Sequence, residues 1–201
     1  SGQVLQCPYT NEKAKLIVRE MTDLLVLDLV GKGLVTDQMV LDIGYDIENL
    51  TNANIVGSYK GEVTTDYYGR KIPKQAHGTA NIGRQTSSTM LIMNAVMELF
   101  DRIVDKNLLV RRIHVTVCRL VNADSVQKTD SFEQLDLFTD YEAVQKKRAE
   151  EETALEREKR IQQAILMLRE KYGKNAVLKG MNLEEGATTI SRNKQIGGHK
   201  V

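Results

Sequence analysis

The sequence has no tryptophan and only three phenylalanines and two prolines among its 201 residues. A core with so few aromatic rings has to be built from Leu, Ile, Val and Met, and a hydrophobic fraction of 41% is sufficient for one. No apolar run approaches the roughly 20 residues that a membrane-spanning helix needs. The N-terminus also lacks the basic and apolar segments of a secretory signal. The composition therefore indicates a globular protein.

Cysteine is scarce as well, and its placement bears on the compartment. Cys7 and Cys118 lie far apart, each in an apolar or strand-like stretch. This spacing predicts small buried thiols in a reducing compartment and no disulfide framework, so we expect a cytoplasmic location. The chain opens on Ser1 and Gly2 without a methionine. We therefore expect it to be a piece of a longer protein.

The sequence contains no recognisable catalytic motif. There is no phosphate-binding glycine loop with its lysine and no Cys/His set at metal-ligand spacing. His77, His114 and His199 have no close-spaced ligand partners, so we interpret them as hydrogen-bonding or phosphate-contacting side chains. For Asp42 and Asp46, a solvated strand end is favoured over a metal site. We expect no catalytic or metal-binding residue in this chain.

Hydrophobic periodicity predicts the fold. Apolar residues recur at helical spacing from residue 10 to about 32, and again in a second helix that runs to about residue 107. Thr10 is the candidate cap of the first helix, and Thr86, Ser87 and Ser88 are the candidate caps of the second. Alternating or strand-like patterns occupy residues 3–7, 39–45, 77–85 and 110–121. This order predicts an α+β, split βαβ fold: a four-stranded, mainly antiparallel sheet with two helices on one face. The opposite face of the sheet is left open.

The rest of the chain divides into segments of different composition. Residues 46–76 form a long polar insertion, in which we expect a hairpin around Tyr68-Gly69-Arg70. The first domain is predicted to span residues 1–122, followed by a linker at 123–140. Residues 141–201 are expected to form a highly charged helix, up to Tyr172, and a loose tail.

Charge is unevenly distributed although the net charge is only +1. Residues 1–56 contain four basic and eight acidic residues, whereas residues 57–84 contain five basic and two acidic residues. Basic side chains beside Thr and Asn can bind phosphates by charge and hydrogen bonding. An ordinary solvated sheet face is the open alternative. The candidate DNA-binding residues are Thr79, Asn81, Arg84, Arg111 and Arg112.

Two glycines flank this polar strand. Gly78 and Gly83 permit another molecule to approach the backbone closely. The predicted face carries no stacking aromatic residue, which argues against recognition of single-stranded bases. Contact with the backbone of a duplex fits better.

The most specific motif is the peptide Gln134-Leu135-Asp136-Leu137-Phe138 in the linker. Leu137 and Phe138 are adjacent large apolar groups with little local core, and burying each in a partner is worth about 1.5–3 kcal/mol. Gln134 can add directional hydrogen bonds. Docking on a partner protein is favoured. The alternative is that the peptide folds back onto the following helix or onto the sheet domain.

The peptide resembles the pentapeptide by which bacterial DNA polymerases and repair factors attach to the ring-shaped sliding clamp. The preceding domain resembles the little finger of Y-family translesion DNA polymerases, in the UmuC-like (ImpB/MucB/SamB) branch. The stretches that carry this resemblance, in chain order, are GQVL (2–5), LDIGYD (41–46), DYYGRKIP (66–73), HGT (77–79), VRRI (110–113), EGAT (185–188) and IGGHK (196–200).

The resemblance implies a function. The domain would grip double-stranded primer-template DNA with its open sheet face, and residues 134–138 would tether the enzyme to the clamp. The parent would copy damaged templates in DNA repair and the SOS response, using two Mg²⁺ ions held by palm-domain carboxylates that this chain lacks. The fragment alone is expected to be inactive. The 46–76 insertion goes beyond the simplest little finger, so the resemblance assigns it no DNA contacts.

Two alternatives from other classes remain open at this point. A non-enzymatic RNA- or single-strand-binding module can have a similar split βαβ fold, and aromatic residues on the open face would favour it. A structural protein whose charged helix pairs with a second copy is the other alternative. The helix lacks a sustained heptad repeat, which makes self-pairing less favoured.

Overall fold

The computed structural model of the chain describes residues 1–51, 59–126, 141–196 and 199–200. Helices and strands follow one another in the expected order, with short additional elements between them. They are β1 (Gly2–Tyr9), α1 (Asn11–Gly31), β2 (Leu34–Tyr45), α2 (Glu48–Thr51), β3 (Val63–Thr65), β4 (Lys71–Pro73), β5 (Ala76–Thr86), α3 (Thr89–Ile103), β6 (Val110–Cys118), β7 (Val121–Asn122), α4 (Tyr141–Tyr172), α5 (Thr189–Arg192), β8 (Gln195–Ile196) and β9 (His199–Lys200).

The main sheet is antiparallel in all its pairings and has the strand order β1-β6-β2-β5. A mixed α and β fold with an antiparallel sheet is thereby confirmed. The expected number of four strands is wrong, because β7 also pairs with β2. Arg119, at a positive φ of 51°, interrupts the last strand. The register then resumes: Cys118 lies opposite Gln38 and Asn122 opposite Leu34.

One hydrophobic core lies between the sheet and the two helices α1 and α3. Ile17 of α1, Val96 of α3 and the strand residues Leu41 and Ile113 are fully buried in it. The helical residues recur every three or four positions and the strand residues every second one, so each element has one apolar side. Burying such a side chain contributes about 1.5–3 kcal/mol. The other side of each strand is turned away from this core.

The cap predictions for the two helices have different outcomes. Of the candidates Thr86, Ser87 and Ser88, the last is the cap of α3. Ser88 caps α3, since its hydroxyl accepts a hydrogen bond of 3.3 Å from the backbone N–H of Leu91. Thr10 occupies the cap position of α1, but its side chain makes no capping hydrogen bond, so that part of the prediction is wrong. The hairpin expected in the long insertion is confirmed, because β3 and β4 pair on either side of residues 66–70.

Helix α4 docks at the start of α3. Gln162, only 4% exposed, donates from its amide nitrogen to the carbonyl of Ser87 and to the Thr89 hydroxyl, both at 2.9 Å. The Glu158 carboxylate accepts hydrogen bonds from the Ser88 hydroxyl at 2.5 Å and from the backbone N–H of Met90 at 3.0 Å. An acidic side chain at a helix N-terminus is favourable, because the first N–H groups and the helix dipole attract negative charge.

The segment after α4 returns to α1 and binds two acidic residues there. Glu20 is fully buried and accepts hydrogen bonds from the Asn182 amide at 2.8 Å and from the backbone N–H of Thr188 at 2.7 Å. The Lys179 ammonium pairs with Asp23. The expectation of a loose tail did not anticipate this anchor. The division of the chain at residues 122 and 140 stays a prediction.

Candidate nucleic-acid interface

The open face of the sheet is defined by the side chains that alternate with the core residues on β2, β5 and β6. Cross-strand neighbours share a face, so the register sorts these side chains into rows. Asp42 lies between His77 and His114, Val40 between Thr79 and Thr116, and Gln38 between Asn81 and Cys118. We call this surface the open face; its members are Gln38, Val40, Asp42, His77, Thr79, Asn81, Arg112, His114 and Thr116.

The structure brings three of the five candidate DNA-binding residues onto this surface. Thr79 and Asn81 are two positions apart on β5, and Arg112 lies on β6 opposite Gly44. Asn81 and Arg112 are exposed. The Gln38 amide donates to the Asn81 side-chain carbonyl at 2.9 Å, which orients the Asn81 amide group. The surface therefore presents hydrogen-bond donors and one permanent positive charge.

The other two candidates are engaged elsewhere. Arg111 lies at an irregularity in the register between β2 and β6, and its guanidinium donates to the carbonyl of Gln6 at 3.1 Å. Its Nε also lies 3.7 Å from a carboxylate oxygen of Asp46. Arg84 pairs with Glu151 of α4. Each guanidinium already has an acidic neighbour, so part of its charge is offset before any phosphate binds.

The row formed by His77, Asp42 and His114 on the open face was not predicted from the sequence. His77 Nδ1 lies 2.6 Å from a carboxylate oxygen of Asp42, and His114 faces Asp42 from the other side in the register. The Asp42 carboxylate repels an approaching phosphate, so this row works against the positive charge of Arg112 on the same face. The alternation of His77 with Thr79 and Asn81 could have indicated this row, but pairing with Asp42 depends on the strand register.

Gly78 has a different role from the one expected. A Cβ atom at this position would lie 2.8 Å from Cδ1 of Leu99 and 3.1 Å from Cγ2 of Ile103, both on α3. The close approach is therefore to the domain's own helix. Gly83 fits the expectation better, since its φ is +84° and no heavy atom would lie within 4 Å of an added Cβ.

The described residues bear on two other kinds of site, a surface that stacks on bases and a metal site. The open-face residues include no Phe or Tyr, so the alternative of a base-stacking sheet gains no support there. Over the same part of the chain, no three His, Cys, Asp or Glu side chains are grouped to hold a metal ion. None of the described helices is long and apolar enough to cross a membrane.

The peptide predicted to bind the clamp, Gln134-Leu135-Asp136-Leu137-Phe138, lies outside the described residues. Its assignment therefore stays a prediction.

The chain matches the model of a protein family. The model of the impB/mucB/samB family C-terminal domain covers residues 4–136, which is more than half of the chain and includes the whole open face. No curated protein matches the chain significantly. The family match confirms the resemblance of the chain to the UmuC-like (ImpB/MucB/SamB) branch.

Proposed function

The chain belongs to the impB/mucB/samB family, because its residues 4–136 match the C-terminal domain of that family. From this premise we propose that the chain is the DNA-gripping part of a translesion DNA polymerase. The observation that carries the proposal is the family match over residues 4–136. The polymerase chemistry, with its two Mg²⁺ ions, is assigned to palm carboxylates of the parent enzyme. This chain would contribute binding and placement of the primer-template.

The open face is the proposed contact surface for duplex DNA, in a little-finger-like arrangement. Thr79 and Asn81 offer side-chain hydrogen bonds to phosphate oxygens, and Arg112 adds a positive charge. Contacts to phosphates carry no sequence information, so binding would depend little on sequence. Because binding to phosphates releases counterions, the affinity would fall as the salt concentration rises.

Residues 134–138 are proposed as the tether to the sliding clamp. This part of the proposal rests on the sequence alone. A tether would raise the local concentration of the open face near the primer terminus. The open face could therefore bind DNA weakly and still hold the primer-template while the peptide is bound to the clamp.

A salt titration tests the DNA-binding proposal. The dissociation constant of the chain for blunt duplex is measured between about 50 and 200 mM salt, where phosphate contacts lose most of their strength. We expect Arg112→Ala to weaken binding and to reduce the salt slope by about one. Arg160→Ala, an exposed guanidinium on α4, is the charge-matched control. Absence of binding at low salt, or equal effects of the two substitutions, would contradict the proposal.

A further inference from the structure

The hairpin formed by β3 and β4 ends in a turn held by one carboxylate. Asp66 accepts hydrogen bonds of 2.9 Å from the backbone N–H groups of Tyr68 and Arg70, and its second oxygen lies 2.7 Å from the Arg70 guanidinium. Gly69 adopts the positive φ of +77° that the turn requires. An Asx-type turn with an added ion pair is a rigid support for the residues at its tip.

Two tyrosine side chains at this tip are exposed to solvent. Tyr67 is 96% exposed and Tyr68 is 73% exposed. Tyr68 has two neighbours: the Tyr67 ring meets it edge to face at 5.4 Å, and the Arg70 guanidinium lies 5.1 Å from its centroid. Tyr67 is thus held in position while almost its whole surface stays accessible. An aromatic surface so exposed contributes nothing to the core and is typical of a binding surface.

The charges around the tip favour an anionic ligand. The two acidic residues of the hairpin are each neutralised within it, Asp66 by Arg70 and Glu62 by Lys74 at 2.7 Å. Lys71 is exposed and makes no ion pair in the described part of the chain. The tip therefore combines exposed rings with surplus positive charge, which is the combination found in proteins that bind single-stranded nucleic acids.

The hairpin lies near one end of the sheet, since β4 contacts β2 and the short helix α2 that follows it. Along the chain it falls between β2, which ends at Tyr45, and β5, which begins at Ala76. Arg112 lies opposite Gly44, at this same end of the sheet. If a duplex bound to the open face extends past this end of the sheet, its unpaired strand comes near the hairpin.

We propose that Tyr67 stacks on an unpaired base of the DNA strand that continues beyond the duplex held on the open face. The inference rests on the proposed function and extends it from duplex phosphates to the single-stranded template. Stacking on one ring tolerates every base, because each base has a π-face, so the contact fits a template of any sequence. Tyr68 and Arg70 act as positioning residues that hold the Tyr67 ring.

The test compares two DNA molecules that differ only in an unpaired segment. One is a blunt duplex and the other is the same duplex with a short 5′ template overhang, both fluorescently labelled for anisotropy at low salt. The proteins are the wild type, Tyr67→Ala and Tyr67→Phe. Tyr172→Ala is the matched control, since Tyr172 is also exposed, at 65%, and has the Lys171 ammonium 5.2 Å from its ring.

We expect Tyr67→Ala to weaken binding of the overhang DNA by at least about fivefold, the lower limit for loss of a stacking aromatic, and to leave the blunt duplex unchanged. Tyr67→Phe and Tyr172→Ala should behave as the wild type. Equal weakening for both DNA molecules would overturn stacking in favour of a backbone contact. Unchanged DNA binding together with weaker clamp binding would overturn it in favour of a protein contact.

The two proposals fail in different ways. If the wild type binds neither DNA at low salt, the proposed function fails, and the stacking inference fails with it. If the wild type binds blunt duplex in a salt-dependent manner but Tyr67→Ala binds overhang DNA as the wild type does, only the stacking inference fails. Because Tyr67 is almost fully exposed, its substitution leaves the fold intact, which a thermal melt checks directly.

Discussion

The carboxylate of Glu20, in the middle of α1, accepts a hydrogen bond of 2.8 Å from the side-chain amide of Asn182, which lies 162 positions later in the chain. The same carboxylate binds the backbone N–H of Thr188. Nearby, burial lowers the pKa of the Arg192 guanidinium. A single acidic side chain therefore connects the first helix to the segment around residues 182–188, which also contacts β1 through Gln3 and Tyr9.

The contribution of this anchor to stability can be measured. Glu20→Gln keeps the volume of the side chain but turns an amide group towards buried N–H donors. We expect the free energy of unfolding to fall by about 2 kcal/mol, since a buried donor without an acceptor costs about 1–3 kcal/mol. Glu98→Gln, at an exposed position of α3, should change it little. Urea unfolding curves of equal midpoint for Glu20→Gln and wild type would contradict the role of the anchor.

Gly78 should tolerate no side chain. In Gly78→Ala the added methyl group would lie 2.8 Å from Cδ1 of the buried Leu99, so this side chain or the helix α3 has to shift. Overpacking of this kind costs about 1–3 kcal/mol. Gly180→Ala is the control, because no heavy atom lies within 4 Å of its added Cβ. Thermal denaturation of the two variants checks the difference, and equal melting temperatures would refute it.

Arg84 is held by α4, and this contact can compete with DNA. If Glu151 is replaced by Gln, the Arg84 guanidinium becomes available to phosphate. We expect DNA affinity to rise by up to about fivefold, because an exposed ion pair is worth about 0.2–1 kcal/mol. Glu152→Gln removes the same charge from the neighbouring position and controls for it. If both variants gain affinity equally in anisotropy titrations, Arg84 has no separate role.

The hairpin turn should depend on acid pH. The hydrogen bond from Arg70 holds the pKa of Asp66 below its ordinary value of 3.8. A depressed pKa means that the ionised carboxylate stabilises the turn above the ordinary pKa, and that this contribution is lost as the pH falls through the lowered value. We expect the amide resonances of Tyr68 and Arg70 to shift together below pH 3.8. In Asp66→Asn the same resonances should show no such titration.

Clamp binding tests the peptide at residues 134–138. We expect the double substitution Leu137→Ala/Phe138→Ala to weaken binding to a bacterial sliding clamp by more than about tenfold, since each buried apolar side chain contributes about 1.5–3 kcal/mol. Leu183→Ala, which removes another exposed apolar side chain, serves as the control. Surface plasmon resonance on immobilised clamp measures both. Equal binding by wild type and the double variant would remove the tether.

Local patterns predicted much of the architecture because they depend on neighbours a few positions apart. The apolar period of α1 and α3, the alternation on β6 and the Ser88 cap are all properties of short segments. The family resemblance likewise followed from short motifs in order. The break at Arg119, which separates β7 from β6, has no such pattern, so the strand count was wrong by one.

The candidate site divides along the same line. Alternation along the sequence determined that Thr79 and Asn81 share a face, and that Arg112 lies opposite the core. Only the tertiary structure decided that Asp42 pairs with His77, that Arg84 pairs with Glu151 on a distant helix, and that Glu20 is an anchor. Side-chain periodicity is set by backbone geometry within a strand, whereas these partners are set by register and by helix docking across tens of residues.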